Sequence, residues 1–347
     1  MKDVGDALNM YLQESKDVPY LMVDFGIDKA EVDIKSFCDD VFRCYSPWVD
    51  AFLLSHFHSD HYNGFEIYAE AIDFNAIYLP RFPEYMQEFA SEFRKMILAD
   101  LLLREENLFV RILLQILRRS SCRASVYLLS KGDVFYHNKH KYEVLWPPKT
   151  YTDDCRIITE TTQRAISLFN DLKEKDKPFK EIYDALDGCN IINDEEDNLF
   201  FFYDESIEVL ENLRKNHSKT ELKKIVANTK YKKFNEALQD AANRLSIAFR
   251  QEDNVLFLGD LEAHELQCVA KELKKREQLH YDCVIAAHHG THWNRSMRDL
   301  NCDNCLASVG KTLASKVDTH YKTISSRLFL THQVNDIVLQ KNQYLIL

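Results

Sequence analysis

The run Ser55-His56-Phe57-His58-Ser59-Asp60-His61 places three imidazoles and a carboxylate in one short stretch. Imidazole nitrogen and carboxylate oxygen are ligand atoms for borderline divalent ions such as Zn²⁺, and a short loop can aim alternate side chains at two neighbouring ions. The apolar run Ala51-Phe52-Leu53-Leu54 leads into them and reads as a buried strand ending at the loop. Two further apolar runs end in the same kind of chemistry. Asn254-Val255-Leu256-Phe257-Leu258 leads to Gly259-Asp260, and Asp282-Cys283-Val284-Ile285-Ala286-Ala287 leads to His288-His289-Gly290-Thr291. Strand tips along one sheet edge meet in space, so these distant segments are expected to build one metal site. A histidine-rich surface loop is the simpler alternative, and four ligand-type residues behind a strand weigh against it.

The spacing H-x-H-x-D-H resembles the signature of the metallo-β-lactamase superfamily. That resemblance implies an α/β (α+β) fold, a four-layer αββα sandwich, around two divalent metal ions. It implies His56 and His58 on one ion, Asp60 and His61 on the other, and Asp260 bridging them. His288, directly after its strand, is the favoured late ligand, with His289 facing substrate or developing charge. Asp24, at the end of Tyr20-Leu21-Met22-Val23-Asp24-Phe25-Gly26, is expected to orient a ligand rather than bind metal. Many members supply a further mid-chain histidine. Here His137, His140 and His217 are the candidates, and none sits in a Gly-His turn.

The departure points to a branch resembling the soluble β-lactamase-like domain of ComEC. The residues that carry it are Gly132-Asp133, Val144-Leu145-Trp146-Pro147-Pro148, Asn243-Arg244-Leu245-Ser246, His288-His289-Gly290-Thr291, Ser308-Val309-Gly310, His320 and Asn335-Asp336-Ile337-Val338-Leu339. Asn243 and Ser246 occupy that branch's N-x-x-S positions, where they approach the site or form a strand-leading turn. With a thinner shell on the first ion, Mn²⁺ is as apt as Zn²⁺. Paired divalent ions activate water at neutral pH and clamp both oxygens of an in-line displacement. Asp60 or Asp260 would orient that water, and His289, Thr291 or His320 would donate to the phosphoryl or acyl oxygen. The resemblance implies a nuclease or related phosphodiesterase, with nucleic acid or a nucleotide as substrate. The alternatives are hydrolysis of another ester, lactone or amide on the same metals, and a non-catalytic metal-binding subunit.

The elements that must position these residues follow from the hydrophobic pattern. A strand pair is expected over Gly5–Gly26, turning at Asp17-Val18-Pro19, with a helix over Gly64–Ala71 and a strand over Ala76–Pro80. A helix over Glu84–Ser120 is marked by Met86, Phe89, Phe93, Met96 and Ile97, then Leu113, Leu114 and Leu117. Strands follow at Ser125–Leu129 and Tyr142–Trp146. Residues 149–242 change character and read as a mostly helical insertion within a single 1–347 domain, with helices at Thr161–Lys173 and Ile207–Arg214. It carries the charged runs Lys173–Lys177 and Asp194–Asp197 and a late basic series, Arg214, Lys215, Lys219, Lys223, Lys224, Lys230, Lys232 and Lys233. That series is a solvated helical face or a surface that draws a polyanion, and the insertion is the expected contact for a protein partner. After it come strands at Arg244–Phe249 and Asn254–Leu258, a helix at Ala263–Arg276, and strands at Asp282–Ala287, Leu306–Gly310 and Asp336–Leu339.

With 46% apolar and 29% charged residues, the 347-residue chain has material for a sizeable core. A net charge of −11 argues against a protein that coats nucleic acid. The Met1–Asp6 start lacks the apolar run of a signal peptide, and no long apolar stretch suggests a membrane span, so a soluble cytoplasmic protein is expected. Nine cysteines without framework spacing fit reduced thiols, and Cys302-Asp303-Asn304-Cys305 supplies half of a four-ligand site.

Overall fold

The computed structural model describes residues 1–13, 19–44, 49–65, 74–104, 125–188, 212, 216–252, 254–340 and 343–346. They fall into two compact units, Met1–Pro80 with Ala124–Pro148 and Asn243–Leu347, and Arg81–Arg123 with Lys149–Ala242.

The first unit is built on two sheets. One runs β1(Asn9–Leu12), β2(Tyr20–Phe25), β3(Val49–Leu53), β4(Ala76–Pro80), β5(Ser125–Leu129), parallel except for the antiparallel β1–β2 pair. The other has the order β12-β11-β10-β9-β8-β7-β6, from β6(Val134–His137), β7(His140–Trp146), β8(Ala248–Gln251), β9(Val255–Phe257), β10(His280–Ile285), β11(Asn301–Ala307) and β12(Leu328–Leu330). Strands β9 to β12 are mutually parallel, whereas β6 to β9 pair antiparallel.

Alternation along the strands sorts side chains between two faces. Leu21, Val23, Ala51, Leu53 and Leu129 of the first sheet join Tyr142, Val144, Phe249, Phe257, Ile285 and Leu306 of the second in one buried cluster, so the sheets pack face to face. Phe52, between Ala51 and Leu53, points outward, and the positive φ of Asp24 breaks the alternation before Phe25. Phe25 and Phe52 meet Phe65, and Phe25 also meets Phe37 of helix α1(Ile34–Cys44), at ring separations of 4.9, 4.9 and 5.9 Å. Leu256, Val284 and Cys305 lie buried on the outer face of the second sheet. The connection between parallel neighbours β9 and β10 is helix α2(Ala263–Lys275), which buries Leu266, Val269, Ala270 and Leu273. A crossover of this kind lies on a sheet face, giving the expected helix–sheet–sheet–helix order.

The second unit is helical, with Gln87–Arg104, Arg156–Lys175, Lys177–Gly188, Lys219–Ala227 and Thr229–Arg244. Phe169 packs on Phe179 and Phe234 at 5.4 and 5.2 Å, and Tyr231 Oη donates to Asp100 at 2.6 Å. Ser218 and Glu221 form a capping box on the fourth helix. Residues 149–242 thus share their unit with Arg81–Arg123, including the buried Phe93, Met96 and Ile97 of the apolar stripe. Leu113, Leu114, Leu117, Asp17, Val18, the acidic run at 194–197, nearly all of the helix at 207–214, and most of that at 64–71 lie outside the described residues.

Several boundaries differ from the sequence expectation, among them the helix expected at Thr161–Lys173, which spans Arg156–Lys175. The helix before β8 continues through Arg244 and β8 begins only at Ala248, because Arg244 turns its guanidinium onto the buried Glu265 at 3.0 Å and Ser246 N closes a turn on Asn243 O at 3.0 Å. β11 begins at Asn301 rather than near Leu306, since its pairing with β10 starts at His280↔Asn301. That puts Cys302 and Cys305 inside a strand, both buried. Helix α1 had no recognised signal. No helix among the described residues is long and apolar enough to cross a membrane.

A close approach ties β2 to the histidine loop. A Cβ on Gly26 would lie 1.5 Å from the Asp60 carbonyl oxygen, and Leu8 N donates to that same oxygen at 3.1 Å. A Cβ on Gly132, which has a φ of +94°, would meet nothing within 4 Å. Gly132→Ala is therefore expected to cost only the left-handed strain, about 1–2 kcal/mol. Gly26→Ala must displace the loop and should lower the unfolding midpoint in urea considerably further; equal midpoints for the two variants would refute this.

Candidate metal centre

Register brings the functional residues abreast. Val23 pairs with Leu53, so Asp24 and Ser55 leave adjacent strand ends; Ile285 pairs with both Phe257 and Leu306, which aligns Asp260, His288-His289 and Ser308. Asp24, His288, His289 and Gly259 all have positive φ, at 54°, 47°, 57° and 54°. For side-chain-bearing residues that strain is held by the surrounding contacts, as it often is at functional sites.

Asp24 is fully buried and fixes the histidines. Its Oδ1 accepts Ser55 N at 2.7 Å, and its Oδ2 accepts both Ser55 Oγ and His61 Nδ1 at 2.7 Å. Ser55 Oγ, having donated its proton to Asp24, accepts from His56 Nδ1 at 3.0 Å. One carboxylate thereby sets two tautomers, His61 directly and His56 through the hydroxyl, and leaves both Nε2 atoms with free lone pairs. His289 is set the same way by donating Nδ1–H to Ser308 O at 2.8 Å.

Those lone pairs converge. His61 Nε2 lies 3.4 Å from Asp260 Oδ2 and 3.7 Å from Asp60 Oδ2, His56 Nε2 is 3.9 Å from Asp260 Oδ2, and His289 Nε2 is 3.3 Å from Asp60 Oδ2. The His58 ring centroid is 4.4 Å from that of His56. The Nε2 atoms of His56, His58 and His61 are buried without a hydrogen-bond partner. Buried polar atoms in folded proteins are almost always satisfied, so three orphaned imidazole nitrogens, two of them facing carboxylates, fit a bound cation. Ligand atoms lie within 4.8 Å of one another in His56–His61–Asp260 and in Asp60–His61–His289. Their donor chemistry, imidazole and carboxylate, suits Zn²⁺ or Mn²⁺.

Electrostatics point the same way. Burial lowers His56 well below the ordinary imidazole range and brings His58 down to about 4, which keeps both neutral. Burial would raise Asp60 and Asp260, yet the neighbouring imidazoles, His61 foremost, hold both carboxyls well below their usual range. Burial would depress His61, but Asp260, Asp24 and Asp60 hold it well above the usual range. The acids are thus ionised around a protonated His61 and beside the neutral His56 and His58, and a divalent cation would take the place of the His61 proton.

Ser246 Oγ accepts Asp260 N at 3.0 Å, which anchors the carboxylate's backbone, and Asn243 Nδ2 is 3.3 Å from His288 Nδ1. Of the adjacent late histidines, His289 joins Asp60 and His61, while His288 joins Glu262 and His292, its Nδ1 lying 3.9 Å from Asp260 Oδ2. Thr291 Oγ1 donates to His288 O at 2.7 Å and braces the turn. His320 is paired with Asp318 at 2.7 Å, stacks on Trp293 at 5.9 Å and is half-exposed. His137 pairs with Asp50 at 2.7 Å in the β6–β7 hairpin. Sequence reasoning missed Ser55, Ser308, Glu262, His292 and Tyr321. The first stands next to His56 and Glu262 stands two residues after Asp260, so those two were open to notice.

No family model and no curated protein matches this chain. Among solved structures it is similar to the metallo-beta-lactamase fold protein YhfI from Bacillus subtilis, with 9% identity, a TM-score of 0.40, and coverage of 95% of this chain and 94% of that one.

Asp24→Asn keeps the shape but removes the acceptor that sets His61. Zn²⁺ or Mn²⁺ affinity should fall by about 10–100-fold, read by titration calorimetry. Either ion at 100 times its Kd should stabilise the wild-type chain by about 2.7 kcal/mol. That thermal shift should vanish in His56→Ala and Asp260→Ala; a shift retained in both would exclude the cage as the binding site.

Proposed function

We propose that this protein is a metal-dependent hydrolase of the metallo-β-lactamase kind, acting on phosphodiesters in nucleic acid or a nucleotide. The observation that carries the reading is the set of three buried Nε2 atoms without a hydrogen-bond partner, those of His56 and His61 within 4 Å of a carboxylate oxygen. The order of motifs along the chain supports the same assignment, including the ComEC-like series from Gly132 to Leu339. His56, His58, His61, Asp60, Asp260 and a late histidine would hold the ions, which when bound supply Lewis acidity and water activation at neutral pH.

The chain's own residues supply position and proton acceptance. Asp60 is the cage acid that solvent reaches, its side chain 38% exposed against 4% for Asp260. It is therefore the carboxylate we assign to orienting the attacking water, with Asp260 held as an inner ligand. His289 has its Nδ1 proton committed to Ser308 O and faces Asp60 Oδ2 through Nε2 at 3.3 Å; burial would lower it, but Asp260 and Asp60 hold it above the ordinary imidazole range, so Nε2 carries a proton that a bound cation would displace. A phosphodiester suits a centre of this type because its negative charge returns to the cations. The exposed Lys223, Lys224, Lys230, Lys232 and Lys233 of the second unit would contribute attraction for such a polyanion.

Labelled DNA and RNA oligonucleotides and cyclic nucleotides, incubated with Mn²⁺ or Zn²⁺, should be cleaved by the wild-type chain and spared in EDTA. Asp60→Ala should reduce turnover by at least ~100-fold with an unchanged circular-dichroism spectrum. No turnover on any phosphodiester with metal retained would reject the assignment, and turnover confined to ester or lactam panels would reassign the substrate.

A further inference from the structure

Next to the cage, Glu262, His288 and His292 each present a ligand atom, and the three lie within 4.8 Å of one another. The His288 and His292 rings are 4.0 Å apart, and His292 Nδ1 is 3.5 Å from Glu262 Oε2. Three backbone features deliver them. Glu262 occupies the N-cap of α2, His288 follows β10, and His292 closes the turn after it. Tyr321 clamps that turn: its hydroxyl accepts Ala287 N at 2.9 Å and donates to His292 O at 2.7 Å.

A second, independent feature lies beside them. Asn243 is 5% exposed, and its Oδ1 is buried with no hydrogen-bond partner. Its Nδ2 stands 3.4 Å from Glu262 Oε1 and 3.3 Å from His288 Nδ1. Rotating the terminal amide by half a turn exchanges nitrogen and oxygen, which would bring the carbonyl oxygen to those positions.

We propose that Glu262, His288 and His292, completed by Asn243 Oδ1, form a divalent-cation site separate from the cage. Two imidazoles and two oxygens are a donor set for Zn²⁺ or Mn²⁺. The three side chains are each about a quarter exposed, at 24–27%, so a hydrated ion has access. His288 is available for this role because His289 occupies the place beside Asp60 and His61. A hydrogen-bonded brace for the turn would use the same residues and bind no ion, and ion counting separates the two. The site does not depend on what the protein hydrolyses.

The test is ion stoichiometry of the full chain, stripped with EDTA, dialysed against Zn²⁺ or Mn²⁺ and measured by plasma mass spectrometry. Glu262→Gln with His292→Ala should remove about one ion per chain from wild type. A His56→Ala/His61→Ala chain, deprived of the cage, should still hold one, and should lose it when the first pair of changes is added. Equal counts in wild type and Glu262→Gln/His292→Ala, or no ion on the cage-deprived chain, would overturn the proposal. Should a variant not fold, anomalous scattering from wild-type crystals soaked in Zn²⁺ decides. A peak about 2.0–2.2 Å from His292 nitrogen and Glu262 oxygen supports the site, and peaks confined to the cage overturn it. A failed phosphodiesterase assay would leave these counts unchanged.

Discussion

The buried contact between Asp24 and His61 is the constraint on which the candidate metal centre depends. A carboxylate at zero exposure is expensive to desolvate, and burial pushes its pKa up while His61 and Ser55 oppose that push. The acid is retained at the end of β2 in a strained left-handed conformation because it accepts three hydrogen bonds there. Without it, His61 would have no fixed tautomer and Ser55 no acceptor, and the lone pairs of both His56 and His61 would be free to turn from the cavity. The energy spent burying one charge is returned as geometry in two ligands.

The same logic explains why the acids and imidazoles sit together. His61 faces Asp24 through Nδ1 and Asp60 and Asp260 through Nε2. Three carboxylates around one imidazole leave excess negative charge in a poorly solvated place. Protonating His61 relieves part of it, and a divalent cation relieves more while satisfying the orphaned nitrogens of His56 and His58 as well. Proton and metal therefore compete for the same lone pair, which makes ion uptake a proton-releasing step.

Much of this was legible in the sequence because the information was local. His56, His58, Asp60 and His61 announce themselves by type and spacing, and apolar runs before Asp260 and His288-His289 mark strand tips. Asp24 ends its strand in an Asp-x-Gly that by itself reads as a turn; its expected supporting role beside the histidine loop came from the family resemblance, and in the structure it holds Ser55 and His61. What sequence could not supply was direction. Whether His288 or His289 turns towards Asp60 is decided by two consecutive positive-φ residues and by the Ser308 carbonyl, from a strand that follows in the chain. Ser55 carries no motif of its own; its role appears only when β2 and β3 are set in register. The extension of the helix through Arg244 was hidden for a similar reason, since Glu265, the partner that holds Arg244, belongs to another element.

Topology explains how so much helical chain accumulates without disturbing the ligands. β7 and β8 pair antiparallel with Trp146 opposite Ala248, so the polypeptide that leaves after Pro148 re-enters the sheet beside its point of departure. Trp146 Nε1 donates to Arg244 O at 2.7 Å and closes that junction within the first unit. An added segment at such a point changes no strand order and moves no strand tip. The candidate ligands follow β3, β9 and β10, with Asp24 of β2 and Ser308 after β11 orienting them, and the register of these strands is set by pairings that residues 149–242 do not separate. Arg244 lies at the seam, holding Glu265 of α2 with its guanidinium and Trp146 with its carbonyl, and so couples the junction to the helix whose N-cap is Glu262.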